Sequence, residues 1–109
     1  MLTKEDLAAL EATHKRIAHV IGPLGKDGKT AQWECVFRKP TRAEYKRFRS
    51  MVNTPGQGGD AGESLARSCV VHPAPEAFDA LLEDYPAICE ASAQDIGKLA
   101  GLFADESVK

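Results

Sequence analysis

Aromatic residues are scarce in this chain: one Trp, two Tyr and four Phe make up 6% of 109 positions. A core built from it must rest mainly on Leu, Ile, Val and Ala. Cysteine is scarcer still. Cys35, Cys69 and Cys89 are odd in number and widely spaced, with no Cys-x-x-Cys pair. That pattern suits reduced, buried thiols in a cytosolic protein better than a disulfide framework. Net charge is nearly absent, at −2, which argues against a dedicated nucleic-acid binder. No apolar run approaches the ~20 residues of a membrane span. MLTKEDLAALEATHKR also lacks the apolar centre of a signal peptide. The expectation is a soluble protein of a cytoplasm, with no membrane partner.

What is present is one domain's worth of chain, residues 1–109, with ordinary globular composition: 43% hydrophobic and 28% charged. A chain of this length hides about two-thirds of its unfolded surface, so it folds without metal or disulfide staples. The charge is unevenly divided. Residues 1–59 hold eleven Lys/Arg against six Asp/Glu, a net of +5, and residues 60–109 hold three against ten, a net of −7. Such halves attract each other within the fold, or attract copies of the same chain.

Read along its length, the chain opens with Thr3 as a helix cap, reaching the amides of Glu5 or Asp6, and a helix over about 3–14 with Leu7, Leu10 and His14 on one face. KRIAHVI fits two patterns. Ile17 and Ile21 would continue the helix, whereas Ala18 and Val20 share one face of a strand. The Asp27-Gly28 turn signal and the strand-like QWECVFRK favour a hairpin, with strands at about 16–21 and 31–38. Gly22-Pro23 ends or kinks the first of them. Pro40 closes the second, and Thr41 with Glu44 forms a capping box for a helix to about Val52, with Tyr45, Phe48 and Val52 inward. Arg42, Lys46 and Arg49 share another face. Composition makes 53–62 a flexible, glycine-rich loop. A third helix is expected over Ser64–Val71, ended by His72-Pro73. A fourth starts at Pro75, with Phe78, Leu81, Leu82 and Tyr85 apolar. The last stretch opens at Pro86 and buries Ile88, Ser92, Ile96, Leu99 and Phe103, with an interruption near Ser92. The fold class is α+β, helix-dominated: a β-hairpin packed with four or five short helices.

Candidate chemistry is thin. Cys69 and His72 with Cys89 supply one close pair, whereas structural zinc takes four ligands, usually in two close pairs. A Cys nucleophile paired with His14, His19 or His72 needs a spatial neighbour, and buried structural thiols are commoner. PGQGGDAG lacks the Gly-Lys-Ser/Thr ending of a phosphate-binding loop, and a plain surface connection explains it. Asp79, Glu83 and Asp84 lie on the polar side of an amphipathic helix, where acids are expected as solvated surface. No catalytic set, cofactor or metal is therefore expected. The best-formed feature is FRKPTRAEYKRFRS, with cations at Arg38, Lys39, Arg42, Lys46, Arg47 and Arg49. Arg42, Lys46 and Arg49 read as a solvated face, as half of a protein interface, or as a weak, salt-sensitive contact to nucleic acid. The near-neutral chain favours the first two.

The Arg38-Lys39-Pro40-Thr41 junction, Glu44 and Phe48, Cys69-Val70-Val71, Phe78, Leu82, Tyr85-Pro86 and Leu99-Ala100-Gly101 together resemble a family of small tailed-phage proteins. These are encoded in the tail-gene region and generally described as tail assembly chaperones. The resemblance spans about residues 14–101, and the 54–62 loop is longer and richer in glycine than the family pattern. It implies a non-enzymatic factor in the bacterial host cytoplasm that keeps the tape-measure protein soluble and recruits tail-tube subunits. The charge division adds a copy of the same chain as a further expected partner. Under the chaperone reading Arg42, Lys46 and Arg49 are the partner-binding residues, on charge placement alone. Two other classes compete: a tail or neck component of the finished particle, and a small phage inhibitor of a host defence protein.

Overall fold

Two threonines start two helices in the same way. Thr3 Oγ1 accepts the amide of Asp6 at 3.1 Å and the Asp6 carboxylate accepts the amide of Thr3 at 2.9 Å. Thr41 and Glu44 repeat the exchange at 3.1 and 2.8 Å. Each box satisfies two main-chain donors that a helix start otherwise leaves free. In the computed structural model, which describes residues 2–101, these boxes open α1 (Lys4–His14) and α2 (Arg42–Val52).

Between them lies the hairpin. β1 (Ile17–Ile21) pairs antiparallel with β2 (Glu34–Arg38), with Ile17 opposite Arg38 and Ile21 opposite Glu34. Beyond Gly22-Pro23 the ladder becomes irregular but does not stop. Gly22 donates to the Trp33 carbonyl at 2.8 Å, Gln32 to that of Pro23 at 2.9 Å, and Leu24 bridges to Ala31. Hence the regular pairing of β2 starts at Glu34 and not at 31, and the Trp33 indole lies against Gly22. The turn is fixed by Asp27, whose carboxylate accepts the amides of Lys29 and Thr30 and the Thr30 hydroxyl at 2.7–3.0 Å. Gly28 supplies the left-handed φ of +68° there.

The glycine-rich stretch departs from its expected form. The loop expected over 53–62 shrinks to Asn53–Gln57, and α3 (Gly58–Cys69) begins inside it. Ala61, Leu65, Ala66 and Cys69 are buried along one stripe of α3, and that burial outweighs the helix cost of the glycines. At the other end, Val70 and Val71 are not helical. β3 (Val70–His72) pairs antiparallel with β2, giving a three-stranded sheet in the order β1-β2-β3. α4 (Pro75–Asp84) has Pro75 in its first turn, and α5 (Ile88–Leu99) runs through Ser92 without the expected interruption. Phe103 lies outside the described residues.

The observed architecture is α+β and helix-dominated: among the described residues there are five helices, of which α1, α3, α4 and α5 lie against strands of the sheet and α2 packs on α3. Its core joins Trp33, Cys35 and Phe37 of the hairpin to Leu65, Ala66 and Cys69 of α3, Phe78 of α4 and Ile88, Cys89 and Ile96 of α5. The rings of Phe37 and Phe78 meet edge-on at 6.0 Å. Phe48, Leu81, Leu82 and Tyr85 pack against this cluster from its margin. Val52, expected inward, is 48% exposed, since the last residue of α2 overhangs the turn to α3. Leu7, Leu10 and His14 are half-buried, and α1 packs on β1. No helix among the described residues is long and apolar enough to cross a membrane.

Candidate functional site

Arg38 ends β2 and holds the chain that leaves it. Its guanidinium forms a two-pronged pair with Glu44, Nη1 to Oε1 and Nη2 to Oε2, both at 2.9 Å. It also donates to the Lys39 carbonyl at 3.1 Å and to the Ser68 carbonyl at 2.6 Å. One side chain thus joins the end of β2, the first turn of α2 and the last turn of α3. Hydrogen bonds from Arg38, and then from Thr41, hold the Glu44 carboxyl far below its ordinary 4.5, at about 2. The segment Lys39-Pro40-Thr41 is thus tied to the first turn of α2 and the last turn of α3.

That fixed segment is one wall of a cleft of about 360 Å³. Its rim is Lys39, Arg42, Lys46 and Arg49, and its floor is Pro40, Tyr45 and Ala100. All four cations are exposed. Among the described residues no acid lines the cleft, and none of the four cations forms an ion pair. Tyr45 stacks on Phe48 with ring centroids 5.7 Å apart and planes at 18°. Because Phe48 packs on the core, the floor of the cleft is rigidly backed.

The three residues singled out from sequence are therefore brought together on one exposed face. Sequence reasoning misses two members. It counts Lys39 among the cations of FRKPTRAEYKRFRS but not with the three on the helix face, and it assigns Tyr45 to the interior. A signal for Tyr45 exists: it lies one turn from both Arg42 and Arg49, so it borders their face as well as the core.

The other candidates separate. Burial pushes the Cys35 thiol up to about 12 and those of Cys69 and Cys89 to about 11, so all three stay protonated and unreactive near neutrality. All are free and buried. No three His, Cys, Asp or Glu side chains converge on a metal position among the described residues. Asp79 pairs with Arg67 of α3 at 2.9 Å on the surface, while Glu83 and Asp84 are exposed. His19 pairs with Glu34 at 2.7 Å. Burial alone would raise the Glu34 carboxyl, but the Leu2 amide and His19 outweigh it and hold it low.

A family model described as "Domain of unknown function (DUF6848)" matches residues 10–109. No curated protein matches the chain. Among solved structures, the uncharacterised protein rbstp2171 from Bacillus stearothermophilus is similar, with a TM-score of 0.69 and 20% identity. The match covers 94% of this chain and 99% of that one. At that identity the likeness concerns the fold alone.

Proposed function

The chain belongs to the family of the domain of unknown function DUF6848, and on that premise we propose that it is a non-enzymatic assembly factor that docks other proteins. Its reading as a phage tail assembly chaperone, which holds tape-measure and tail-tube proteins during tail building, comes from the resemblance carried by Arg38-Lys39-Pro40-Thr41, Glu44, Phe48 and the proline-punctuated helices after them. The observation that carries the docking role is the cleft beside α2. Four exposed cations, with no ion-pair partner among the described residues, surround an apolar floor. A helix with one apolar stripe flanked by acids fits such a site: the stripe covers Tyr45 and Pro40, and the acids meet Arg42, Lys46 and Arg49. Nucleic acid is the weaker fit, because the whole chain carries −2 and its second half −7.

The test is a tagged pull-down from phage-producing cells, with mass spectrometry of the eluate and of purified particles. Recovery of tape-measure or tube protein, with particles that lack this chain, supports the chaperone role. A fixed copy number in the particles makes it a tail or neck component. Recovery of host proteins alone moves it to the inhibitor class.

A further inference from the structure

The two edges of the sheet are built differently. β3 is three residues long, its register with β2 shifts between Val36 and Phe37, and Pro73 follows it directly. Short length, an irregular register and a flanking proline are the usual protections of an edge. β1 lacks the first two, and its own proline, Pro23, stands one residue beyond its end. It runs five residues, IAHVI, without proline, lysine or any carboxylate, and in unbroken register with β2.

The outward main chain of β1 can be assigned. Gly22 donates to the Trp33 carbonyl, and the constant register then turns the main-chain groups of Val20 and Ala18 toward β2. The N–H and C=O groups of Ile17, His19 and Ile21 point the other way. No main-chain partner for them occurs among the described residues. Side-chain burial agrees. In β2 the core-facing Cys35 and Phe37 are fully buried, whereas their counterparts Ala18 and Val20 in β1 stay part-exposed. Ile21 and Leu24, farther along the same edge, are 45% and 51% exposed.

We propose that β1 pairs with β1 of a second copy, antiparallel about a two-fold axis through His19, joining two three-stranded sheets into one of six strands. The strand itself selects this occupant. In that register Ile17 faces Ile21 of the copy and His19 faces its own equivalent, so the outward residues 17, 19 and 21 meet their like. Three such pairs, each exchanging two bonds, give about six main-chain hydrogen bonds. The flanks agree as well. Arg16 falls opposite Gly22 and Lys15 opposite Pro23, so no cation faces a cation. The pairing closes at both ends, where Lys15 leaves the extended conformation with φ +67° and Pro23 has no donor. Exposed Ile21 and part-exposed Ile17 gain mutual cover.

Light scattering over a concentration series, with amide exchange of the full chain at its dilute and concentrated ends, tests this. The expected result is a species of twice the monomer mass. The amides of Ile17, His19 and Ile21 should slow by about tenfold or more on concentration, while those of Ala18 and Val20 are protected throughout. His19→Lys keeps a partner for Glu34 but sets two ammonium groups against each other at the axis. It should remain monomeric with an unchanged circular-dichroism melt. A chain that stays monomeric throughout overturns the proposal. So does a dimer in which residues 17, 19 and 21 exchange at the dilute rate, or a His19→Lys variant that dimerises as the parent does.

Discussion

Gly22 has no side chain because Trp33 occupies the place where one would stand. A Cβ there would lie 2.3 Å from the indole Nε1 and 2.5–2.6 Å from two ring carbons. Trp33 is buried in the core cluster and cannot yield cheaply. Gly22→Ala should therefore destabilise the fold by ~2 kcal/mol or more, as overpacking of a filled core does. Urea unfolding followed by Trp33 fluorescence reads this directly, and the native spectrum should shift as the indole is displaced. Glu44 sets a second expectation at this scale. Its carboxyl titrates near 2 when folded and near 4.5 otherwise. The stability it contributes is thus fully present above pH 4.5 and is lost as pH falls from there toward 2. Glu44→Gln should cost about 1–2 kcal/mol at pH 7. Its unfolding midpoint should also fall less than the parent's between pH 5 and pH 2.5.

Elements differ in how much of their cause is local. α2 is legible in the sequence because Pro40, Thr41 and Glu44 specify its start within five residues. The hairpin is legible because Asp27-Gly28 specifies its turn. The beginning of α3 is hidden by Gly58, Gly59 and Gly62, which read as loop. What makes that segment helical is burial of Ala61, Leu65 and Ala66 as α3 packs on α2, α5 and β2, which local propensity does not report. β3 is hidden altogether. Val70–His72 is too short to carry a pattern, and it is a strand only because β2 lies alongside. At Gly62 an added Cβ meets open space and the backbone is ordinary helix. Gly62→Ala should accordingly raise stability by ~0.5–1 kcal/mol. A thermal melt checks this, and a fall in Tm would mean that α3 is not helical at that position.

At the scale of the whole molecule, the charge division read from sequence acquires a place. The basic half concentrates at the cleft beside α2, where Lys39, Arg42, Lys46 and Arg49 face solvent with no ion-pair partner among the described residues. Helical spacing is local, so the sequence alone puts Arg42, Lys46 and Arg49 on one face. It does not reveal a cleft, because Ala100 enters from the far end of the chain and Arg38 fixes the wall through Ser68. The most direct measurement is a quantitative co-purification of the parent chain and of Arg42→Glu/Lys46→Glu/Arg49→Glu, side by side from phage-producing cells. All three positions are exposed, so the variant should melt as the parent does. Loss of about tenfold or more of the tape-measure and tube proteins recovered with the parent is the predicted result. Equal recovery with the folded variant would contradict docking through this cleft.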